Sequence, residues 1–138
     1  MVRAAADAVG LADYHHIPLV GRVLASSFDL ATLLFAWLIA RRLGGPRAGL
    51  VAAAPLAYSV ISIQQAHFFT VDSFAACFAT AALLMLIEIS LGATLWAHAG
   101  FGAAIGLMLA CRINLLVLAS AYPITLVVLQ MRSRISVR

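Results

Sequence analysis

LWAHAGFGAAIGLMLACRINLLVLASAYPITLVVLQM, residues 95–131, is an almost unbroken apolar stretch. About 20 apolar residues cross the roughly 30 Å of hydrocarbon in a bilayer, so this stretch of 37 residues is too long for a single span. Its strongest polar interruption is Arg112 to Asn114. We therefore predict one helix over 95–111 and a second over 113–131, with a kink at Pro123.

The rest of the chain divides in the same way. Residues 1–18 form an N-terminal segment that we predict on the outer side, and residues 132–138 form a basic tail that we predict in the cytoplasm. Three further predicted spans lie between them: 19–40, 48–63 and 73–89. The first two are separated by a Gly-Gly-Pro sequence at 44–46, which is a turn signal. The predicted fold is all-α: a polytopic transmembrane bundle of about five spans, in one domain over residues 1–138.

The composition supports a membrane protein and excludes other classes. Hydrophobic residues make up 64% of the chain, charged residues make up 10%, and the mean hydropathy is +1.06. A soluble globule of this size could not bury so much apolar surface. The nine basic residues are dispersed arginines, a pattern that does not indicate nucleic-acid binding. Cys77 and Cys111 lie in apolar segments and are expected to act as small hydrophobic residues.

The arginines give the bundle an orientation. Three of them follow the first predicted span: Arg41, Arg42 and Arg47. Because basic residues in short loops stay on the cytoplasmic side, this connection is predicted to be inside. Alternation then puts 64–72 and 112–114 outside and the tail inside, and the tail carries three more arginines. We expect a cell membrane, the inner membrane in a bacterium.

The predicted outer loop 64–73 contains the main candidates for chemistry, His67 and Asp72. A carboxylate at an interface can act as a base or hold a cation, and Asp72 is the only candidate metal ligand. Asp72 also precedes a predicted helix, so it could equally be the N-cap of that helix. His67 could equally be an interfacial imidazole among aromatic side chains.

Three ionisable groups accompany this loop. Arg112 is predicted on the same outer side, where its guanidinium could bind a lipid phosphate or serve only as a headgroup anchor. Arg22 lies near the outer end of the first span and could extend to the headgroups. Asp29 lies seven residues deeper on nearly the same face, so we expect it to have an interhelical partner or a polar cavity.

Four segments resemble a known family: LVGRVLASSFDL (19–30), ARRLG (40–44), IQQAHFFTVD (63–72) and GAAIGLMLACR (102–112). Their order and spacing resemble the bacterial and archaeal glycosyltransferases related to dolichyl-phosphate-mannose protein mannosyltransferases. The family's glycine-rich helix usually ends in Thr-Lys, whereas this chain has Cys111 and Arg112, which keeps the positive charge.

The resemblance implies an enzyme that transfers a sugar from a polyprenyl-phosphate donor to an acceptor at the outer membrane face. Asp72 and His67 would then be catalytic, and Arg112 with Arg22 would bind the substrate phosphate. A divalent cation on Asp72 is one option for a cofactor, and membrane lipids and the lipid-linked donor are the expected partners. The family's first acidic loop should lie upstream of Met1. The sequence is therefore interpreted as a fragment that lacks the first helix and is inactive alone.

Two other hypotheses remain open from the residues. A transporter or channel segment could line a polar path with Arg22 and Asp29, but it should show inverted repeats, and none is evident. A helix-packing subunit could rest on the G-x-x-x-G of Gly102 and Gly106. In that case Asp72 and Arg112 could be replaced without effect.

Overall fold

The computed structural model describes residues 17–60, 64, 70–92 and 95–136. These residues form four α-helices and one 3-10 helix: α1 (Ile17–Ala57), α2 (Val71–Ser90), α3 (Leu95–Cys111), the 3-10 helix (Ile113–Ser120) and α4 (Ala121–Ser136). No strand occurs within these ranges, so the predicted all-α fold is confirmed.

Helix α1 is two helical arms joined at Gly45. The backbone of Gly45 has φ 83° and ψ −179°, a conformation that favours glycine, and Pro46 begins the second arm (46–57). A Cβ atom at Gly49 would lie 3.1 Å from the carbonyl oxygen of Trp37, so the second arm returns along the first arm (17–44). The turn predicted from Gly-Gly-Pro is therefore present.

The first arm of α1 runs parallel to α2. The ring of Phe28 lies 4.6 Å from that of Phe74, and Arg42 Nε lies 2.9 Å from Glu88 Oε1. These two contacts are separated by fourteen residues on each helix, or about 21 Å at 1.5 Å per residue. Because the interval is the same on both helices and has the same direction, the first arm of α1 and α2 are parallel and stay in register between the two contacts.

Helices α2 and α3 form an antiparallel pair that contains most of the core. The chain leaves α2 through Leu91 and Gly92, and Gly92 has φ 90°. The buried core cluster comprises Ala82, Ile89, Ala97, Phe101, Ala104, Ile105 and Met108. Three of these seven residues are alanines, whose small side chains let the two helix backbones approach closely. Close packing of this kind holds helices together in a membrane, where the hydrophobic effect does not drive their association.

The last segment packs back on α3 through Tyr122. Its hydroxyl lies 2.9 Å from Nδ1 of His98, and its ring stacks on Phe101 at 5.1 Å. Pro123 is the third residue of α4, and without an N–H it cannot make the α-helical hydrogen bond to the carbonyl of Ala119 at the end of the 3-10 helix. The predicted irregularity at Pro123 is therefore a change of helix type just before it.

Most predicted span boundaries within the described residues lie within two residues of an observed helix end. Helix α3 begins and ends at the predicted residues, whereas α2 begins two residues before the predicted 73 and α4 extends to Ser136. The second arm of α1 is helical to Ala57, and residues 61–63 of that predicted span lie outside the described residues, as do residues 1–16.

The helices present apolar surface to their surroundings. Leu95 is 83% exposed and Val117 is 78% exposed. The apolar segment Ile113–Met131 is not buried inside the bundle. Three described segments are long and apolar enough to cross a membrane: Pro18–Ala57, Val71–Ser90 and Ile113–Met131. The apolar Leu95–Cys111 is slightly shorter. The chain is therefore an integral membrane protein built as a helical bundle.

Candidate functional site

An ion pair joins the start of α2 to the end of α3. Asp72 lies in the first turn of α2, and Arg112 follows α3 directly. Nη2 of Arg112 lies 2.5 Å from Oδ1 of Asp72. Because the two helices are antiparallel, the start of one meets the end of the other. The Asp72 side chain is 30% exposed and the Arg112 side chain 53%, so both can be reached from outside the bundle.

Asp72 is not the N-cap of α2. The N-cap residue is Thr70, with extended φ −96° and ψ 152°, and its side chain makes no capping hydrogen bond. The N-cap interpretation of Asp72 is therefore wrong, because the helix begins one residue before Asp72. A carboxylate in the first turn is still favoured by the helix dipole, but this one is directed to Arg112.

The backbone fixes the position of Arg112. Its N–H donates to the carbonyl of Met108 at 2.8 Å, which closes the last turn of α3. Its own φ of −146° and ψ of 110° are extended, so the helix cannot continue through it. Arg112 therefore stands at a break between two helices, where a guanidinium with five N–H donors can bind Asp72 and still present donors to a second anion.

A second polar group lies on the other side of the start of α2. Asp29, on the first arm of α1, lies against Ser73. Asp29 Oδ2, Ser73 Oγ and Thr70 Oγ1 are buried and have no hydrogen-bond partner within the described part of the chain. Sequence reasoning expected a partner for Asp29 but missed Thr70 and Ser73. Thr70 and Ser73 are three residues apart and flank Asp72, and this spacing would have predicted that they lie on one side of the helix.

The opposite end of the bundle carries its own ion pair, Arg42 with Glu88. Asp72 and Glu88 are sixteen residues apart on α2, or about 24 Å along the helix. The guanidinium of Arg41 lies 5.0 Å from the ring centre of Trp37, a cation–π distance. Within the described residues, the two ends of the bundle therefore have different polar groups, and the Asp72–Arg112 ion pair shares its end with the buried hydroxyls of Thr70 and Ser73.

A family model described as dolichyl-phosphate-mannose-protein mannosyltransferase matches residues 19–138, nearly the whole chain. The chain belongs to this mannosyltransferase family. Membership makes it a membrane glycosyltransferase and favours that hypothesis over a transporter or channel segment. No curated protein and no solved structure matches the chain.

Two other predicted site residues of this mannosyltransferase-family chain are not part of the observed pair. Arg22 is exposed on the first arm, and no carboxylate of the described residues lies within ion-pair distance of it. His67 lies outside the described residues. The structure therefore brings together Asp72 and Arg112 among the four predicted site residues.

The described residues do not fit a divalent metal site. No group of three or more His, Cys, Asp or Glu side chains lies together within them. Asp72, the predicted metal ligand, already faces the positive charge of Arg112. A divalent cation at Asp72 would be repelled by that guanidinium.

The glycines predicted to support helix packing are not in close contact here. A methyl group placed on Gly102 or Gly106 would meet no atom within 4 Å, whereas one on Gly100 would lie 3.0 Å from the sulfur of Met85. Within the described residues, the close helix contact of α3 is made at Gly100. The G-x-x-x-G pattern therefore does not account for the observed packing.

Proposed function

We propose that this chain carries part of the active site of a multi-pass glycosyltransferase in the bacterial inner membrane. The enzyme transfers a sugar from a polyprenyl-phosphate donor to an acceptor at the outer face. The observation that carries this proposal is the ion pair of Asp72 and Arg112 at one end of the bundle. Family membership supports the reaction class.

In this reaction the bond between the anomeric carbon and the phosphate oxygen breaks, and the phosphate leaves with the electron pair. Arg112 binds the phosphate and stabilises its growing negative charge, because guanidinium–phosphate hydrogen bonds are strong and can be bidentate. The exposure of Arg112 leaves donors free for this contact. Arg22, farther out on the first arm, is proposed as a second phosphate ligand.

Asp72 acts on the acceptor. A new bond forms between the anomeric carbon and an acceptor hydroxyl oxygen, and Asp72 orients that hydroxyl and accepts its proton, with His67 assisting. Without donor, the carboxylate is held by Arg112. A bound phosphate takes the remaining donors of the same guanidinium and shares its positive charge, which weakens the hold of Arg112 on Asp72 and lets the carboxylate turn toward the acceptor. The ion pair thus links donor binding to activation of the acceptor.

The outer face is proposed from the charges at the other end. The connection that holds Arg41, Arg42 and Arg47 lies at the end of the bundle marked by the Arg42–Glu88 contact. If basic loops stay in the cytoplasm, the Asp72–Arg112 end faces outward.

The test is sugar transfer by the intact protein in its native membranes, from a radiolabelled polyprenyl-phosphate sugar. Asp72→Asn should reduce the rate by about 100-fold or more, the size of a general-base contribution. Glu88→Gln is the matched control, because it removes one carboxylate from an ion pair on the same helix but at the opposite end. Its rate should stay within about threefold of wild type, since surface ion pairs contribute little.

Equal rates for Asp72→Asn and the wild type would contradict the role of Asp72. Absence of transfer in the wild type, with the protein present in the membrane, would contradict the proposed donor.

A further inference from the structure

Within the described residues, three buried polar atoms where α1 meets the start of α2 make no hydrogen bond of good geometry: Asp29 Oδ2, Thr70 Oγ1 and Ser73 Oγ, although Asp29 and Ser73 lie close enough to interact. Ser73 is the most enclosed of these residues, with 1% of its surface exposed. Buried hydroxyl and carboxylate oxygens in proteins are almost always hydrogen-bonded. Three buried groups in one place whose hydrogen bonds are unmade or weak therefore point to a ligand that supplies them.

These groups belong to one small region. Asp29 reaches Ser73 from the first arm of α1. Thr70 and Ser73 are one turn apart, so they lie on one side of the start of α2. Asp29 and Thr70 are only half-buried, so the region lies at the edge of the contact between the two helices and not at the centre of the bundle.

The groups of the region suit a neutral ligand. The Asp29 carboxylate disfavours an anion, and no group of three or more His, Cys, Asp or Glu side chains lies together within the described residues to hold a metal ion. A hydroxyl group fits the side chains present, because it can donate to the Asp29 carboxylate and accept from Ser73 or Thr70. A sugar ring carries neighbouring hydroxyls, so one can donate to the Asp29 carboxylate while another accepts from Ser73 or Thr70.

The region also lies close to the proposed phosphate ligand. Asp72 and Ser73 are consecutive, and consecutive side chains on a helix point about 100° apart. Asp72 faces Arg112 on α3, whereas Ser73 faces Asp29 on α1. A sugar phosphate lying across the start of α2 could place its phosphate on one side and its sugar on the other.

We propose that Asp29, Thr70 and Ser73 form a binding subsite for hydroxyl groups of the donor sugar, beside the phosphate ligand Arg112. This inference rests on the proposed function. It assigns a substrate contact to Asp29, for which the transfer chemistry alone gives no role.

The experiment measures binding of two lipids to the intact protein in nanodiscs, farnesyl phosphate and mannosyl farnesyl phosphate. Asp29→Asn and Ser73→Ala should each weaken binding of the mannosyl lipid by about tenfold, within the range expected for the loss of one hydrogen bond. Binding of farnesyl phosphate should remain within about twofold of wild type, because it lacks the sugar, whereas Arg112→Gln should weaken both lipids.

Ser27→Ala is the matched control for Ser73→Ala. The Ser27 hydroxyl already donates to the carbonyl of Val23 at 2.8 Å on the same helix, so neither lipid should lose affinity. Unchanged mannosyl-lipid binding in Asp29→Asn and Ser73→Ala, with Arg112→Gln still impaired, would overturn the subsite and leave the proposed function standing. Failure of the wild type to bind either lipid would overturn both.

Discussion

Arg112 and Asp72 form an ion pair that contributes little to stability. Partly exposed pairs of this kind contribute about 0–1 kcal/mol, because water screens the charges and two side chains lose freedom. Arg112 is therefore expected to matter more for the proposed sugar transfer than for stability.

The first prediction compares the effect of Arg112 on sugar transfer with its effect on stability. Arg112→Gln should reduce sugar transfer by about 100-fold while changing the free energy of unfolding by less than about 1 kcal/mol. Arg112→Lys keeps the charge but loses bidentate geometry, so its rate should lie between those of the glutamine variant and wild type. Initial transfer rates and thermal unfolding in detergent measure the two effects. A large loss of stability with Arg112→Gln would point to a structural role instead.

Sequence reasoning placed Asp72 and Arg112 on one side of the membrane but could not give their contact. That contact depends on how far α2 and α3 overlap, which is set by alanine packing such as Ala82 against α3. The N-cap prediction failed because Thr and Asp are both good caps and lie two residues apart in Thr70-Val71-Asp72. Local preference could not choose between them.

At the scale of the elements, the sharp turn of α1 depends on two glycines with different functions. Gly45 supplies the positive φ of the turn. Gly49 supplies space, because Trp37 of the first arm lies where its side chain would be. The turn signal at 44–46 was visible in the sequence, but the contact of Gly49 with Trp37 was not, because it requires the distance between the two arms.

The second prediction compares glycines by the space around them. In Gly49→Ala the new methyl group would lie 2.9 Å from the Trp37 ring, so the variant should lose about 1–3 kcal/mol of stability through overpacking. Gly102→Ala is the control: a methyl group there meets no atom within 4 Å, and alanine favours a helix, so stability should not fall. Thermal unfolding of both variants in one detergent measures the difference. Equal stability would mean that the arms do not pack closely at Trp37.

The ends of α3 were predictable because polar residues mark them. Arg112 and Asn114 interrupt the apolar stretch, and the observed helix ends at Cys111. The 3-10 helix was not predictable from hydropathy, since its residues are as apolar as those of an α-helix. Only its last turn is next to Pro123, which cannot make an α-helical hydrogen bond to Ala119.

On the scale of the whole molecule, the two ion pairs mark opposite ends of one bundle. They lie about 24 Å apart along α2, close to the roughly 30 Å of a hydrocarbon core. The alternation of spans derived from the arginines agrees with this separation, because Arg42 lies at one end and Arg112 at the other. Which end faces the cytoplasm is proposed from charge alone.

The third prediction tests that orientation by labelling single cysteines in intact cells. In a background with Cys77 and Cys111 replaced by alanine, Ile113→Cys should react with a membrane-impermeant maleimide, and Leu91→Cys should react only after lysis. Ile113 is 75% exposed and Leu91 is 62% exposed, so accessibility within the protein does not explain a difference. The reverse pattern would place the Asp72–Arg112 end in the cytoplasm.

The parallel contact of the first arm of α1 with α2 has a consequence for motion. Its aromatic contact at Phe28 and its charged contact at Arg42 are fixed at the same interval on both helices. If one helix moved along the other by a single residue, the Phe28–Phe74 contact and the Arg42–Glu88 ion pair would both be lost. A rearrangement that admits a substrate is therefore expected to tilt the first arm of α1 away from α2, or to move α3. It is not expected to slide the first arm of α1 along α2.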